Sequence, residues 1–350
     1  MKEAGFYQKI EGNRVQCTLC PHHCVISEEK RGRCGVRKNQ KGILYSLVYE
    51  KACACNIDPI EKKPFFHFFP GSTSLSVSTV GCNLSCLFCQ NSDISQEVKK
   101  VGEVYGFSLP TSEIVRQAKT HRCQSISYTY TEPTVFFEYA FDTAVSAKKE
   151  GIYNNFVTNG YTEAEPIKAI APYLDAANVD LKSFREEYYQ KLCGGKLKPV
   201  LDTLILMKSS GIWIEVTTLV LPDQNDSDQE LKDIALFIKE NLGAETPWHI
   251  SRFFPQYRIG NLPPTPPETL TRAREIGMES GLKFVYSGNV PGDRGENTYC
   301  PNCGKIVIGR YGFTITEKHL KNNTCSFCGH SLAGLFASEG DKDVIQGKAG

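Results

Sequence analysis

The sequence predicts an α/β protein built on a parallel sheet, and we expect that sheet to form a barrel, complete or partial. Between residues 66 and 295, strand-like and helix-like stretches alternate for six or seven units, which is typical of parallel βα repeats. Chemically suggestive residues follow the C-terminal ends of several candidate strands, and a barrel gathers those ends around one rim. The first candidate strand has no glycine-rich phosphate loop after it, which disfavours a doubly wound dinucleotide-binding sheet.

Seven candidate strands carry this alternation, and helix-like stretches separate them. Two of the helices have readable beginnings. Ser227-Asp228-Gln229-Glu230 fits a capping box, and Thr265-Pro266-Pro267-Glu268 combines such a box with proline at the first helical position. The candidate strands are Ser74–Val80, Gln124–Tyr130, Ile152–Thr158, Ala176–Leu181, Ile212–Leu219, Trp248–Phe253 and Lys283–Tyr286.

Cysteine-rich regions flank this core on both sides. Residues 1–65 are polar and contain glycine and cysteine, and we assign them to an N-terminal four-cysteine metal module. Residues 66–295 form the predicted barrel. Residues 296–350 hold two C-x2-C pairs around a short β-like segment, followed by a tail that we expect to be frayed.

Composition narrows the class of protein. The net charge is +1 and the basic residues are scattered, which argues against a phosphate-backbone partner. No apolar stretch approaches membrane length, and the N-terminus does not start a signal peptide. Eleven of the fifteen cysteines fall into three close groups, which is typical of metal ligands in a reducing compartment. We therefore expect a cytoplasmic metalloprotein.

The most informative group is Cys82, Cys86 and Cys89, spaced C-x3-C-x2-C directly behind the first candidate strand. Gly81 permits a sharp exit from that strand. Iron–sulfur cubanes usually take four thiolates, so three leave one iron open. A zinc shell built on the same three would be incomplete. The pattern indicates a reactive cluster; the alternative is three buried cysteines that serve only as small hydrophobic residues.

This spacing is the signature of the radical S-adenosylmethionine (SAM) enzymes, which the chain resembles. The resemblance implies a partial barrel of (β/α)6 type, a [4Fe–4S] cluster on Cys82, Cys86 and Cys89, and SAM at the open iron. It also implies that the reduced cluster cleaves SAM to a 5′-deoxyadenosyl radical, which abstracts hydrogen from a substrate.

The resemblance also suggests SAM contacts near the cluster. Phe88 occupies a position that is usually aromatic and touches adenine; the alternative is a core residue. Thr131-Glu132-Pro133 resembles the Gly-Gly-Glu-Pro motif that binds the SAM amino group, with Thr131 in place of a glycine. Without its location after a strand, Glu132 would be an ordinary helix start.

Further residues are similar to positions in the glycyl-radical activating enzymes. There, the counterparts of Asp180 and Lys182 act near SAM and substrate, so we predict a catalytic role for both; the alternative is a solvated rim pair. Asn159 belongs to a similar segment, His249 matches a histidine near the SAM carboxylate, and Arg252 is suited to clamp a carboxylate or phosphate. A lone strand histidine is otherwise a packing residue.

Two outer sets of four cysteines predict further metal sites. Cys300-x2-Cys303 and Cys325-x2-Cys328 form two knuckles with a following glycine, and four thiolates close a tetrahedral structural zinc shell. The N-terminal set fits either zinc or an auxiliary iron–sulfur cluster, and we favour zinc. Isolated cysteines such as Cys123 and Cys193 are expected to be inert. The N-terminal set consists of Cys17, Cys20, Cys24 and Cys34.

Over its whole length the chain is similar to the radical SAM member of the AmmeMemoRadiSam system. The family name implies two companion proteins as partners, besides an electron donor such as flavodoxin or ferredoxin. The segment Asp58–Pro64 belongs to this resemblance, and we interpret it as an exposed charged loop rather than a substrate lid. The other segments are 17–24, the cluster loop to Asn91, 248–253 and 288–303.

Three functions follow from these observations. The first is a radical SAM enzyme acting on a protein or small molecule. The second is a glycyl-radical activase, which installs a backbone radical on a partner. The third, of another class, is a zinc-ribbon module that binds protein or nucleic acid and retains a vestigial cluster; near-neutral charge counts against nucleic acid.

Overall fold

The computed structural model describes residues 1–336, and the predicted frayed tail therefore lies mostly outside the described residues. An eight-stranded sheet forms the centre, and its neighbouring strands follow the order of the chain. The first strand pairs antiparallel with the second, and all later pairs are parallel. The strands are β1 (Ala54–Pro59), β2 (Thr73–Ser78), β3 (Ser125–Tyr128), β4 (Tyr153–Thr158), β5 (Ala176–Asp180), β6 (Trp213–Val220), β7 (Trp248–Arg252) and β8 (Val285–Gly288).

Strands β2 to β8 correspond one to one to the seven predicted strands, so the α/β class and the parallel sheet are confirmed. Their order does not reverse, whereas a doubly wound sheet has a switch point where it does. Strand β1 was not predicted. It lies within the stretch assigned to the N-terminal module, so the sheet begins before residue 66. The proposed domain boundaries otherwise stay a prediction.

One longer α-helix lies in each crossover between β2 and β8. Ser227 accepts a hydrogen bond from the Glu230 amide at 3.4 Å, as its capping box predicts. The predicted box at Thr265 is wrong, because its hydroxyl instead donates to the Val220 carbonyl at 2.5 Å and accepts from Phe253 N. The helices are α1 (Thr111–Thr120), α2 (Phe137–Lys149), α3 (Ala164–Ile170), α4 (Leu197–Ser209), α5 (Asp228–Phe237) and α6 (Pro267–Glu279).

Shorter helical turns occupy the loops. Three are α-helical, four are 3-10 and two are π-helical in the described part of the chain. They are Ser92–Ser95, Glu97–Val101 and Glu186–Tyr188; Ile60–Lys62, Pro133–Phe136, Ala171–Tyr173 and Arg294–Glu296; and Tyr189–Cys193 and Ile238–Leu242.

Both flanking regions consist of short antiparallel strands. The N-terminal region forms two three-stranded sheets, and its last strand pairs with Phe107–Ser108. Its strands are Lys2–Glu3, Tyr7–Ile10, Arg14–Cys17, Val25–Ile26, Arg37–Gln40, Ile43–Ser46 and Lys51–Ala52. The C-terminal strands are Thr298–Tyr299, Ile306–Tyr311, Thr314–Lys318, Leu320–Lys321 and Thr324–Cys325.

The two faces of the central sheet differ in character. Leu75 and Val77 of β2 belong to the large apolar core, together with residues of α1 and α2. The alternate residue Ser74 is also fully buried, and its hydroxyl bonds the Ser127 hydroxyl of β3 at 2.6 Å. The helix-facing side is therefore apolar and the inner side is partly polar. Within residues 1–336, no helix is long and apolar enough to cross a membrane.

Candidate active site

The three-cysteine loop begins a few residues after β2 and is fixed by a neighbouring turn. Ser85 N donates to the Cys193 carbonyl at 2.8 Å, and Leu87 N donates to the Leu192 carbonyl at 2.9 Å. These backbone bonds anchor the loop to the π-helical turn Tyr189–Cys193. The position of the thiols is thus set by a segment about a hundred residues later in the chain.

Gly81 marks a close approach between this loop and the N-terminal region. Its φ of +102° lies in the region that favours glycine, and a Cβ there would lie 2.7 Å from Val36 Cγ1 and 2.9 Å from the Cys34 carbonyl oxygen. No side chain fits without displacement of one partner. The N-terminal region is therefore packed directly on the entrance to the cluster loop.

Two of the three sulfur atoms of the loop have a polar side chain within hydrogen-bonding distance. Asn159 Nδ2 lies 3.6 Å from Cys82 Sγ, and Ser95 Oγ lies 3.1 Å from Cys89 Sγ. Burial raises the pKa of the Cys82 and Cys89 thiols, so without a metal they stay protonated. A bound metal would deprotonate them, and the two donors would then stabilise the sulfur charge.

Cys193 is a site residue that the sequence analysis missed. Its thiol is in hydrogen-bonding contact with Cys86, and this contact together with burial raises the pKa of Cys86 well above its usual range. The expectation that Cys193 is isolated is therefore wrong. The two cysteines are 107 positions apart, and no local pattern marks Cys193; only the return of the chain in the turn Tyr189–Cys193 brings it here.

Glu132 is fully buried and bonded to protein donors. Its carboxylate accepts hydrogen bonds from Thr134 N at 3.0 Å, Thr158 Oγ1 at 2.8 Å and Asn159 N at 2.8 Å. Burial raises its pKa, and these bonds oppose the rise. In this arrangement Glu132 caps the turn Pro133–Phe136 and holds the backbone of Asn159 in place. The side-chain Nδ2 of Asn159 donates to Asn83 Oδ1 at 2.9 Å. The predicted contact of Glu132 with SAM stays a prediction.

Asp180 and Lys182 form an ion pair beside the loop. Lys182 Nζ lies 2.7 Å from Asp180 Oδ2 and 5.9 Å from the centre of the Phe88 ring. Burial lowers the pKa of Lys182, but Asp180 and the neighbouring Cys86 more than offset it, so the pKa is raised well above its usual range. Phe88 is buried and also packs near Tyr188, with ring centres 5.9 Å apart. The structure thus brings these predicted residues together with Cys86.

Three further residues that were predicted to contact SAM or substrate, Thr131, Arg252 and His249, form hydrogen bonds with other protein groups. Thr131 Oγ1 donates to the Thr79 carbonyl at 2.8 Å, and Arg252 Nε donates to the Thr265 carbonyl at 2.7 Å. His249 is the second residue of β7, and its Nε2 lies 2.6 Å from Oε2 of the fully buried Glu215. These partners account for the placement of all three side chains without a ligand.

The segment Asp58–Pro64 is not an exposed loop, so that expectation is wrong. The side chains of Asp58 and Lys63 are 6% and 2% exposed, and they pair at 2.7 Å. Tyr130, directly before the Thr131–Glu132 pair, donates its hydroxyl to Asp58 and stacks its ring 4.2 Å from Lys63 Nζ. Burial lowers the pKa of Lys63 to about 8, although Asp58 opposes this. The segment therefore packs against Tyr130, which directly precedes Thr131 and Glu132.

The C-terminal cysteines form a compact group. Sulfur-to-sulfur distances are 3.6 Å for Cys300 and Cys328 and 3.8 Å for Cys303 and Cys325. Four thiolates bound tetrahedrally at about 2.3 Å from zinc lie about 3.8 Å from one another. All four ligand atoms lie within 4.8 Å of one another. The group therefore has the dimensions of a single-ion tetrahedral site.

The N-terminal cysteines line one cavity. Each comes from a different turn or strand end, and the cavity wall also includes His22, Arg37 and Asn83. His22 Nε2 lies 2.8 Å from the Asn83 carbonyl oxygen, one residue after Cys82. The second predicted metal site therefore borders the cluster loop. The lining cysteines are Cys17, Cys20, Cys24 and Cys34.

The part of the sequence that carries this site matches a known family. The sequence profile of the Radical SAM superfamily matches residues 76–235, which begin within β2 and contain the three-cysteine loop. Residues 76–235 of the chain are a Radical SAM domain. The superfamily implies a [4Fe–4S] cluster and SAM, so the predicted iron–sulfur and SAM-binding character is confirmed at that level.

This chain is similar in sequence to two relatives. It is 48% identical over 334 residues to an uncharacterised protein of Methanocaldococcus jannaschii, covering 95% of this chain and 99% of that protein. It is 22% identical over 225 residues to the pyruvate formate-lyase 1-activating enzyme of Escherichia coli K12, covering 59% of this chain and 89% of that enzyme. Homology to the activating enzymes is thus confirmed, whereas membership of the AmmeMemoRadiSam system stays a prediction.

Among solved structures, the chain is similar to SuiB of Streptococcus suis, with a TM-score of 0.48 and 15% sequence identity. That alignment covers 66% of this chain and 52% of SuiB.

Proposed function

We propose that this protein is a radical SAM enzyme in which Cys82, Cys86 and Cys89 hold a [4Fe–4S] cluster with one iron open to SAM. The observation that carries the proposal is the three-thiol loop held at the C-terminal edge of the sheet, with donors on two of its sulfurs. We do not assign Cys193 as a fourth ligand, because its thiol is in contact with that of Cys86, whereas thiolates on different irons of a cubane stand farther apart. When bound, the cluster and SAM would supply an electron-driven carbon–sulfur cleavage to a 5′-deoxyadenosyl radical that takes hydrogen from a substrate.

The fold that supports this function is a partial barrel of (β/α)6 type. Strands β2 to β7, each followed by one longer helix, make six βα units, and β8 ends the run. The chain-order pairing supports a curved sheet that gathers the carboxyl ends of its strands around one site. On this interpretation the flanking regions are a cysteine-rich module before the barrel and a zinc ribbon after it.

The residues of this chain bind and orient the reactants. We infer that Phe88 contacts adenine and that Asp180, Lys182 and Arg252 contact SAM or substrate from the rim. The side chain of Asn159 donates a hydrogen bond to the Cys82 sulfur. Hydrogen bonds to Asn83 and Glu132 fix the orientation of Asn159. Thr131, Glu132 and His249 contribute through the contacts that they make with other protein groups.

A glycyl-radical activase is the second candidate, and the relatives favour it. Besides the Escherichia coli enzyme, a putative glycyl-radical enzyme activating enzyme of Methanocaldococcus jannaschii is 24% identical over 212 residues. On this alternative the substrate is a glycine of a partner protein, and the electron comes from a flavodoxin or ferredoxin. The companion proteins that the AmmeMemoRadiSam resemblance implies are then the first candidate partners, in a reducing cytoplasm.

Anaerobic SAM cleavage tests the proposal. The reconstituted protein should release 5′-deoxyadenosine after reduction with dithionite, and Cys86→Ala should abolish the release. Cys123→Ala is the matched control, because Cys123 is equally buried in the apolar core and should leave cleavage intact. Equal activity in wild type and Cys86→Ala would contradict the proposal and favour a binding module with a vestigial cluster.

Adding candidate partners separates the two enzyme functions. A glycyl radical signal in electron paramagnetic resonance that requires a partner protein supports the activase. Deoxyadenosine release with a modified small molecule or peptide, and no protein radical, supports the more general enzyme.

A further inference from the structure

The N-terminal cysteines converge on one enclosed space, although they are spread over 18 residues. Cys17 ends the strand Arg14–Cys17, and its amide donates to the Cys24 carbonyl at 3.0 Å, which closes the turn that carries Cys20. Cys34 lies three residues before the strand Arg37–Gln40. All four line the same cavity, so the fold gathers the four residues around one space.

Arg37 provides independent evidence that an anionic group belongs in this cavity. Its side chain is 2% exposed, and its two terminal nitrogens bond Glu138 at 3.0 and 2.9 Å. Its Nε is also buried and has no hydrogen-bond partner, although the side chain lines the cavity. A buried guanidinium N–H without an acceptor is unfavourable. Glu138 already balances the charge of Arg37, and a centre of four thiolates would supply the missing acceptor for Nε.

The spacing of the sulfurs distinguishes a cluster from a single ion. Within residues 1–336, the C-terminal cysteines are the group whose ligand atoms all lie within 4.8 Å of one another. Among the described residues, the N-terminal set and the core set Cys82, Cys86 and Cys89 are not found as groups of this kind. In a [4Fe–4S] cluster each thiolate binds a different iron, and the thiolates therefore stand farther apart than around one zinc ion. The N-terminal set resembles the core set in this respect.

We propose that Cys17, Cys20, Cys24 and Cys34 hold an auxiliary [4Fe–4S] cluster, packed against the loop that carries the core cluster. This replaces zinc, which the sequence had favoured. The packing is direct: the Cys34 carbonyl borders Gly81, and His22 Nε2 lies 2.8 Å from the Asn83 carbonyl oxygen. Asn83 in the cavity wall accepts a hydrogen bond from Asn159 Nδ2, which also lies within hydrogen-bonding distance of Cys82 Sγ.

Metal content of matched variants tests the proposal without any assay of SAM cleavage. We expect about eight iron atoms and one zinc per anaerobically reconstituted wild-type chain. Cys17→Ser/Cys20→Ser should lose half of the iron and keep the zinc. Cys300→Ser/Cys303→Ser should lose the zinc and keep all of the iron.

The decisive variant keeps the N-terminal set intact and removes the core ligands. Cys82→Ala/Cys86→Ala/Cys89→Ala should retain half of the iron, with the Mössbauer signature of a [4Fe–4S] cluster. Two zinc atoms and four irons in the wild type, with no iron in the core variant, would overturn the proposal. Because this variant cannot cleave SAM, its iron content is independent of the function proposed above, and either proposal can fail alone.

Discussion

The N-terminal and C-terminal cysteine sets offer four thiols each, yet the fold gives them different surroundings. The C-terminal sulfurs form a tight tetrahedron at the end of short hairpins, and Cys328 is exposed. The N-terminal sulfurs line a cavity beside the core loop, with a buried arginine in its wall. Ligand number alone therefore does not identify a metal centre, because the surroundings of the sulfurs also affect which metal they prefer.

Removal of the zinc that we propose at the C-terminal cysteines should have the largest structural effect. That region contains little apolar core of its own, and a structural zinc of this kind contributes on the order of 10 kcal/mol to folding. Cys300→Ser/Cys328→Ser should abolish the slow hydrogen exchange of residues 298–336, while iron content and exchange in β2 to β5 stay unchanged. Unchanged exchange in the C-terminal region would show that its metal is not structural.

The N-terminal region should instead affect the core site. Gly81→Ala places a Cβ against Val36 and Cys34, so it should displace the loop and reduce deoxyadenosine release on the order of 100-fold, the effect of a misplacement of about 1 Å. Gly102→Ala is the control, since Gly102 also has a positive φ, +75°, but no atom lies within 4 Å of its added Cβ. Equal losses in both variants would attribute the effect to backbone strain alone.

The buried ion pair of Arg37 and Glu138 can be tested by comparing a single with a double variant. Arg37→Met leaves Glu138 without its buried partner and should lower the free energy of unfolding by roughly 3–5 kcal/mol. Arg37→Met/Glu138→Leu should recover most of this loss, because the carboxylate that Arg37→Met leaves unpaired is removed as well. Equal destabilisation in the single and double variants, measured by anaerobic urea unfolding, would contradict this explanation.

Docking of the C-terminal region should depend on pH through His67. Burial lowers the pKa of His67 to about 4, and its ring lies 2.7 Å from the Ala333 carbonyl oxygen and 2.6 Å from the Tyr286 hydroxyl. The pKa of His67 in the folded protein is below the unfolded value of 6.5. The contribution of neutral His67 to the free energy of unfolding is therefore fully present above pH 6.5. It is lost as the pH falls towards 4.

We expect this titration to lower the free energy of unfolding by up to roughly 3 kcal/mol in wild type relative to His67→Gln. His319→Gln, at an exposed histidine of the same region, should follow the wild-type pH profile. Identical profiles for wild type and His67→Gln would remove His67 as the cause.

The smallest effect is expected at Cys193. Its thiol contacts that of Cys86 but is not a proposed ligand, so Cys193→Ala should leave iron content unchanged and alter the free energy of unfolding by about 1 kcal/mol. Loss of the core cluster in this variant would instead identify Cys193 as a ligand.

Local patterns in the sequence predicted what is local in the fold. The seven parallel strands and the four-cysteine sets follow from periodicity and spacing, and all seven strands are present. Strand β1 was missed because it precedes the βα alternation. Asp58 was assigned to an exposed loop because its burial depends on Lys63 and on Tyr130, 72 residues away.

The site residues divide in the same way. Spacing marked Cys82, Cys86 and Cys89, whereas Cys193 reaches Cys86 only through a long-range return of the chain. The cavity of the N-terminal set depends on Arg37 and Asn83, which carry no motif. Metal preference at that site could not be predicted from four thiols, because sulfur separation is a property of the fold.

The open iron of the core cluster can be tested most directly by electron paramagnetic resonance of the reduced Cys17→Ser/Cys20→Ser variant, in which only the core cluster remains. Addition of SAM should change the g-values of the spectrum if SAM binds the iron that has no cysteine, as we propose. Identical spectra with and without saturating SAM would show a closed cluster and contradict the proposed function.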